Sequence, residues 1–211
     1  MKNKVIAWGR DDFNMLGLIR ELGQSGLDLL FLSYGKTNIC IKSKYCKKYQ
    51  TCMTLQDGLE FLLNSFNNEE VKPIIIASGD DVITYIDQHK HELEKSFLLP
   101  GTKKQGDIQK YIDKYTMTKL ADEIGIICPK SRFVQWNSSI QGVDYPAIIK
   151  PSHQQEGHYN EFKFKIIKNE SELKSTLKMV RHESVFILQD YIPKECDILV
   201  YGGRMWDGKT L

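Results

Sequence analysis

The sequence predicts an α/β N-terminal domain of parallel βαβ units, followed by a second domain of α+β pattern. Three observations predict it. Up to residue 100, short and continuously apolar runs alternate with longer amphipathic ones, as buried parallel strands alternate with crossover helices. The stretch Pro100-Gly-Thr-Lys-Lys-Gln-Gly106 concentrates turn formers and reads as a linker, which places the domains at residues 1–105 and 106–211. Beyond one further helix the βα alternation stops, and strand-like segments dominate.

The first apolar run, residues 4–8, is a strand, and Asp11 or Asp12 can cap the helix after it. That helix carries Met15, Leu16, Leu18, Ile19 and Leu22 on one face and closes near Gly23. Residues 28–33 form the next strand, completing a βαβ unit with a right-handed crossover. An amphipathic helix over 55–66 and a strand over 73–77 repeat the unit. The acidic turn Ser78-Gly-Asp-Asp81 then starts a helix towards Glu94, and residues 97–100 are extended. In the second half, residues 112–124 are helical, with Gly125 as a left-handed stop. Strands follow at 131–136, 147–150, 161–167 and 185–189. One helix, 169–181, interrupts them; Asn169 and Glu172 give it a capping-box-like start, and Leu173, Leu177 and Val180 supply its apolar stripe.

Composition excludes several classes. Lys and Arg number 29 against 27 acids, so a net charge of +2 carries no nucleic-acid footprint. No apolar run approaches the roughly 18–20 residues that span a membrane, and the N-terminal run is too short for a secretory signal. A cytoplasmic protein is expected. Five cysteines, an odd number, suit reduced thiols rather than a disulfide framework. Cys40, Cys46 and Cys52 recur with five residues between neighbours, which is not a zinc-ligand spacing. The first βα turn lacks the close-set glycines of a dinucleotide site, and its two aspartates repel phosphate. Neither a Gly-x-Ser-x-Gly elbow nor a Walker-type lysine loop occurs.

Two segments carry the chemistry that remains. Tyr145-Pro-Ala-Ile-Ile-Lys-Pro151 is a short apolar strand that ends in a lysine held by a proline. Phe186-Ile-Leu-Gln-Asp-Tyr-Ile-Pro193 is a second strand running into a polar turn. The first can place one fixed positive charge into a cleft, and the second offers backbone donors and acceptors. Together they suit the phosphate end and the base end of a nucleotide.

With these segments the chain resembles the ATP-grasp superfamily, in its carbamoyl-phosphate-synthase-like and carboxylate–amine ligase (D-aspartate ligase-like) branch. Gly9-Arg-Asp11 with Asn14 and Gly17, Ser43-Lys-Tyr-Cys46, Ser78-Gly-Asp-Asp81, Asp113-Lys114 and Gly125-Ile-Ile-Cys-Pro129 fall in the family's order. The resemblance implies a pre-ATP-grasp domain followed by an incomplete ATP-grasp domain. It assigns Lys114 and Lys150 to ATP phosphates, and Gln189, Asp190, Tyr191 and Ile192 to the adenine pocket, with backbone at Asp190 and Ile192 reading the base edge. Asp197 faces the ribose. The loop 152–160 covers the phosphates, although it holds only Gly157, flanked by His153 and His158, where the family's loop is glycine-rich.

In the family a further subdomain supplies acidic and Asn ligands for Mg²⁺, and the sequence ends at Leu211 as that part begins. The expectation is an ATP-binding portion of a carboxylate–amine ligase, inactive alone, with a small carboxylate and an amine as substrates of the intact enzyme. A truncated gene product, a fragment and half of a split enzyme all fit. Apolar surface left without that subdomain favours a homodimer. The alternative class is a non-catalytic nucleotide-binding or partner-binding module.

Overall fold

The computed structural model describes residues 3–36, 39–136, 138, 140–152, 162–182 and 184–193. The chain divides into two compact units, Met1–Thr116 and Met117–Leu211.

In the first unit, β1 (Val5–Gly9), β2 (Leu29–Tyr34), β3 (Tyr49–Cys52) and β4 (Ile74–Ser78) form a parallel sheet in the order β3-β2-β1-β4. Val5 lies opposite both Leu29 and Ile74, so β1 is a central strand, and every residue of it is buried. That burial explains its continuous apolar run. Alternate side chains serve opposite faces. Val5 and Ala7 pack with Met15 and Ile19 of α1 (Phe13–Gln24) and with Cys40, in the 3₁₀ turn Cys40–Lys42. Ile6 and Trp8 pack with Leu59 and Leu62 of α2 (Leu55–Phe66) and with Val82 and Ile86 of α3 (Asp80–Gln88). Each such large apolar side chain contributes about 1.5–3 kcal/mol on burial.

Several local readings are corrected by this packing. α1 closes near Gly23 as read, its last residue being Gln24, but a Cβ at Gly23 would stand 2.5 Å from the Cβ of Tyr45, so close approach is what requires glycine there. β3 was not expected, because Tyr49-Gln-Thr-Cys52 has no apolar pattern of its own and becomes a strand by pairing with β2. The helix read towards Glu94 is two, α3 and α4 (Lys90–Leu93), broken where His89 leaves helical geometry at φ −104° and ψ 16°. Residues 97–100 make a single parallel bridge, Leu98 to Ile74. The helix read over 112–124 is likewise preceded by another: α5 (Asp107–Ile112) ends at Asp113, whose carboxylate accepts from the Thr116 N–H at 2.8 Å and so starts α6 (Lys114–Glu123). α5 is tied to α3, since the Ile108 N–H donates to the Asp87 carboxylate at 3.1 Å.

In the second unit, β5 (Ser131–Gln135), β6 (Ala147–Pro151), β7 (Lys165–Ile167) and β8 (Val185–Asp190) form an antiparallel sheet in the order β5-β8-β6-β7. Its core face buries Val134, Ala147, Ile149, Ile167, Phe186 and Leu188 against Leu173 and Leu177 of α7 (Glu170–Met179). The Asn169 side chain caps α7 by accepting from the Glu172 N–H at 2.9 Å. Glu172 reaches back to the Lys168 N–H rather than to the cap residue, so the box is not closed. Among the described residues, no helix is long and apolar enough to cross a membrane.

Candidate functional site

The antiparallel register decides which side chains share the second face of this sheet. Gln189 lies opposite Ser131 on β5 and Ile148 on β6, and Lys150 lies opposite Ile187. With a side-chain period of two, Ser131, Ile148, Lys150, Ile187 and Gln189 all project from the face away from α7. Lys150 is half-buried between two buried neighbours, Ile149 and Pro151, so its backbone is held by the core while its side chain projects from the face away from α7.

A polar chain crosses this face. The Lys150 ammonium donates to Gln189 Oε1 at 2.9 Å, and Gln189 Nε2 donates to Ser131 Oγ at 2.7 Å. Ser131 Oγ in turn donates to the Pro129 carbonyl at 3.0 Å. Ser131 was not singled out from the sequence, and Pro129 only as the end of Gly125-Ile-Ile-Cys-Pro129, because only the strand register brings them beside Gln189.

Past Gln189 the ladder makes its last two hydrogen bonds. The Asp190 N–H donates to Lys130 O at 3.1 Å, and the Tyr191 N–H donates to Pro146 O at 3.4 Å. Among the described residues, the Asp190 carbonyl and the Ile192 N–H make no hydrogen bond, and Ile192 is 68% exposed. A backbone acceptor and donor two residues apart at a strand end suit the edge of a planar heterocycle.

The structure thus brings together Lys150, Gln189, Asp190, Tyr191 and Ile192. Lys114 opens α6 and belongs to the first unit. Gly157, Asp197, His153 and His158 lie outside the described residues. Mg²⁺ needs several oxygen ligands, and among the described residues no group of His, Cys, Asp and Glu converges to hold a metal ion. The ammonium and amide donors on the face away from α7 do not fit that ion either.

The opening-turn motifs have a structural role within the first unit. Asp81 Oδ2 accepts from Arg10 Nε at 3.2 Å, from Arg10 Nη2 at 3.1 Å and from the Tyr34 hydroxyl. The Arg10 guanidinium lies 4.4 Å from the Tyr34 ring centre. Asp11 accepts from the Ile39 and Cys40 N–H groups at 3.2 and 3.0 Å. These contacts join the segments that leave β1, β2 and β4.

No family model and no curated protein matches the chain. Solved structures do. An L-amino acid ligase from Bacillus licheniformis is 12% identical with a TM-score of 0.67, covering 91% of this chain and 45% of its own. The N5-carboxyaminoimidazole synthetase from Staphylococcus aureus, complexed with ADP, is 14% identical with a TM-score of 0.61, covering 91% and 48%. The D-alanine–D-alanine ligase from Bacillus anthracis is 13% identical with a TM-score of 0.57, covering 99% and 68%. The fold is that of the ATP-grasp ligases. At these identities the likeness is one of fold, and the chain spans about half the length of the first two.

Proposed function

We propose that this chain is the ATP-binding portion of a carboxylate–amine ligase of the D-aspartate ligase-like branch. The observation that carries the reading is the presence, on the neighbouring central strands β6 and β8, of the Lys150 ammonium held by Gln189 and, at the end of β8, of an Asp190 carbonyl and an Ile192 N–H that make no hydrogen bond among the described residues. The Asp190 carbonyl would accept from the exocyclic amine of adenine, and the Ile192 N–H would donate to the neighbouring ring nitrogen. Lys150 would meet the phosphates, with Lys114 as a second cation. Gly157 and the loop around it would cover the triphosphate, and Asp197 would accept from the ribose hydroxyls.

In such a ligase a carboxylate oxygen attacks the γ-phosphorus, and the bond to the ADP oxygen breaks. An amine then attacks the acyl carbon of the acyl phosphate, expelling inorganic phosphate and losing a proton to give the amide. This chain's part is to bind and orient the nucleotide, which is where most of the catalytic effect in phosphoryl transfer arises. Since it spans about half the length of the ligases above, we propose binding without ligase turnover by these 211 residues alone. A nucleotide-binding module with no reaction of its own fits the same coverage.

Calorimetric titration with ATP tests the reading. Saturable 1:1 binding that favours ATP over GTP supports it. An intact, folded chain without nucleotide affinity overturns it.

A further inference from the structure

We propose that Gln189 is a positioning residue for Lys150: its amide, oriented by Ser131, sets the lysine's charge for nucleotide phosphate without neutralising it. This deepens the nucleotide reading above and rests on it.

The argument begins at a group that can only accept. The Pro129 carbonyl takes the single proton of the Ser131 hydroxyl, at 3.0 Å. With that proton committed, Ser131 Oγ is left as an acceptor towards Gln189, and its partner at 2.7 Å must be a donor. The amide nitrogen therefore faces Ser131, and the amide oxygen faces Lys150 at 2.9 Å. The polarity of every link follows from the first, so the amide orientation is set by the network.

Position reinforces the chemistry. β8 lies between β5 and β6, so Gln189 lies opposite Ser131 on one strand and within reach of Lys150 on the other. A glutamate at 189 could not donate to Ser131. The hydroxyl would have to choose between that carboxylate and Pro129 O, leaving the other without a proton. It would also form an ion pair with Lys150, and an anion beside the lysine opposes the approach of a polyphosphate. The amide avoids both, because it accepts one ammonium proton and carries no charge.

The test uses the full chain and adenosine, AMP, ADP and ATP as calorimetric probes, with circular dichroism as the check on folding. Wild-type affinity should rise along that series. Gln189→Glu should lower the gain from adenosine to ATP by about ten-fold while changing adenosine affinity by less than about two-fold, the size expected for one charge-assisted contact. Ser131→Ala should act in the same direction with smaller effect, and Ser131→Thr, which keeps the hydroxyl, should restore wild-type behaviour. A merely structural role would weaken all four ligands together. Equal losses for adenosine and ATP in Gln189→Glu would make Gln189 a base reader and overturn the proposal, as would unchanged affinities throughout. A wild-type chain that binds none of the four overturns the nucleotide reading itself; one that binds them all while Gln189→Glu keeps the full phosphate gain overturns only the role of Gln189.

Discussion

Lys150 is the residue on which nucleotide affinity should depend most. Its backbone lies in a buried strand and its ammonium on the face away from α7, so Lys150→Ala removes a charge without opening the core packed on α7. ATP affinity should fall by roughly ten-fold or more, the cost of about 1.5–3 kcal/mol for a hydrogen bond to a charged group, with the circular dichroism spectrum unchanged. Lys114→Ala should act in the same direction and less strongly. Asp190→Asn should change ATP affinity little, since its proposed contact is the main-chain carbonyl; calorimetry showing lost binding in a folded variant would make the side chain the reader. Cys40 makes a pH prediction in the first unit. Burial first, and then the neighbouring Asp11 carboxylate, push its thiol from 9.0 up to about 12. In the unfolded chain the thiol ionises near its ordinary value while the folded protein keeps its proton, so the stability it contributes is complete below pH 9 and is lost as pH rises towards 12. Urea unfolding across that range should show a shallower alkaline decline in Cys40→Ala than in wild type.

Among the elements, α2 depends on one small residue. A Cβ at Gly58 would stand 2.8 Å from the Trp8 ring, and Trp8 is fully buried, so neither side can yield cheaply. Gly58→Ala should destabilise the protein by about 1–3 kcal/mol despite the better helix propensity of alanine, as read from the urea midpoint. A neutral or stabilising result would mean that the α2–β1 spacing is looser than the contact implies. β6 and β8 show the opposite division of labour. Their core-facing residues set the sheet on α7, and the alternate residues are left for chemistry. A one-residue slip between them would exchange the two sets, and Lys150 would face the core.

For the whole molecule, ATP should raise the unfolding temperature of the 211-residue chain in proportion to log concentration, because a ligand of the native state stabilises by mass action. About 2.7 kcal/mol is expected at a hundred times Kd. ADP release with carboxylates, amines and magnesium should stay at background, and substrate-dependent turnover lost in Lys150→Ala would show that these residues suffice for the reaction.

How much could be read in advance depended on whether the determinant was local. The parallel first sheet, α1, α2 and α7 were legible because apolar period and cap residues such as Asp12 and Asn169 act within a few positions. Lys150 and Gln189 were legible as candidates because apolar runs ending in polar groups stand out. What the sequence could not show depends on partners distant along the chain. β3 exists only through β2, and Gly23 is required only because Tyr45 packs upon it. The breaks at His89 and Asp113 came from local turns inside otherwise helical patterns. Above all, the chain from Lys150 through Gln189 to Ser131 crosses three strands in register. Register is set by the core face packing on α7, so residue types alone could name the lysine, and only the assembled sheet could say which amide holds it.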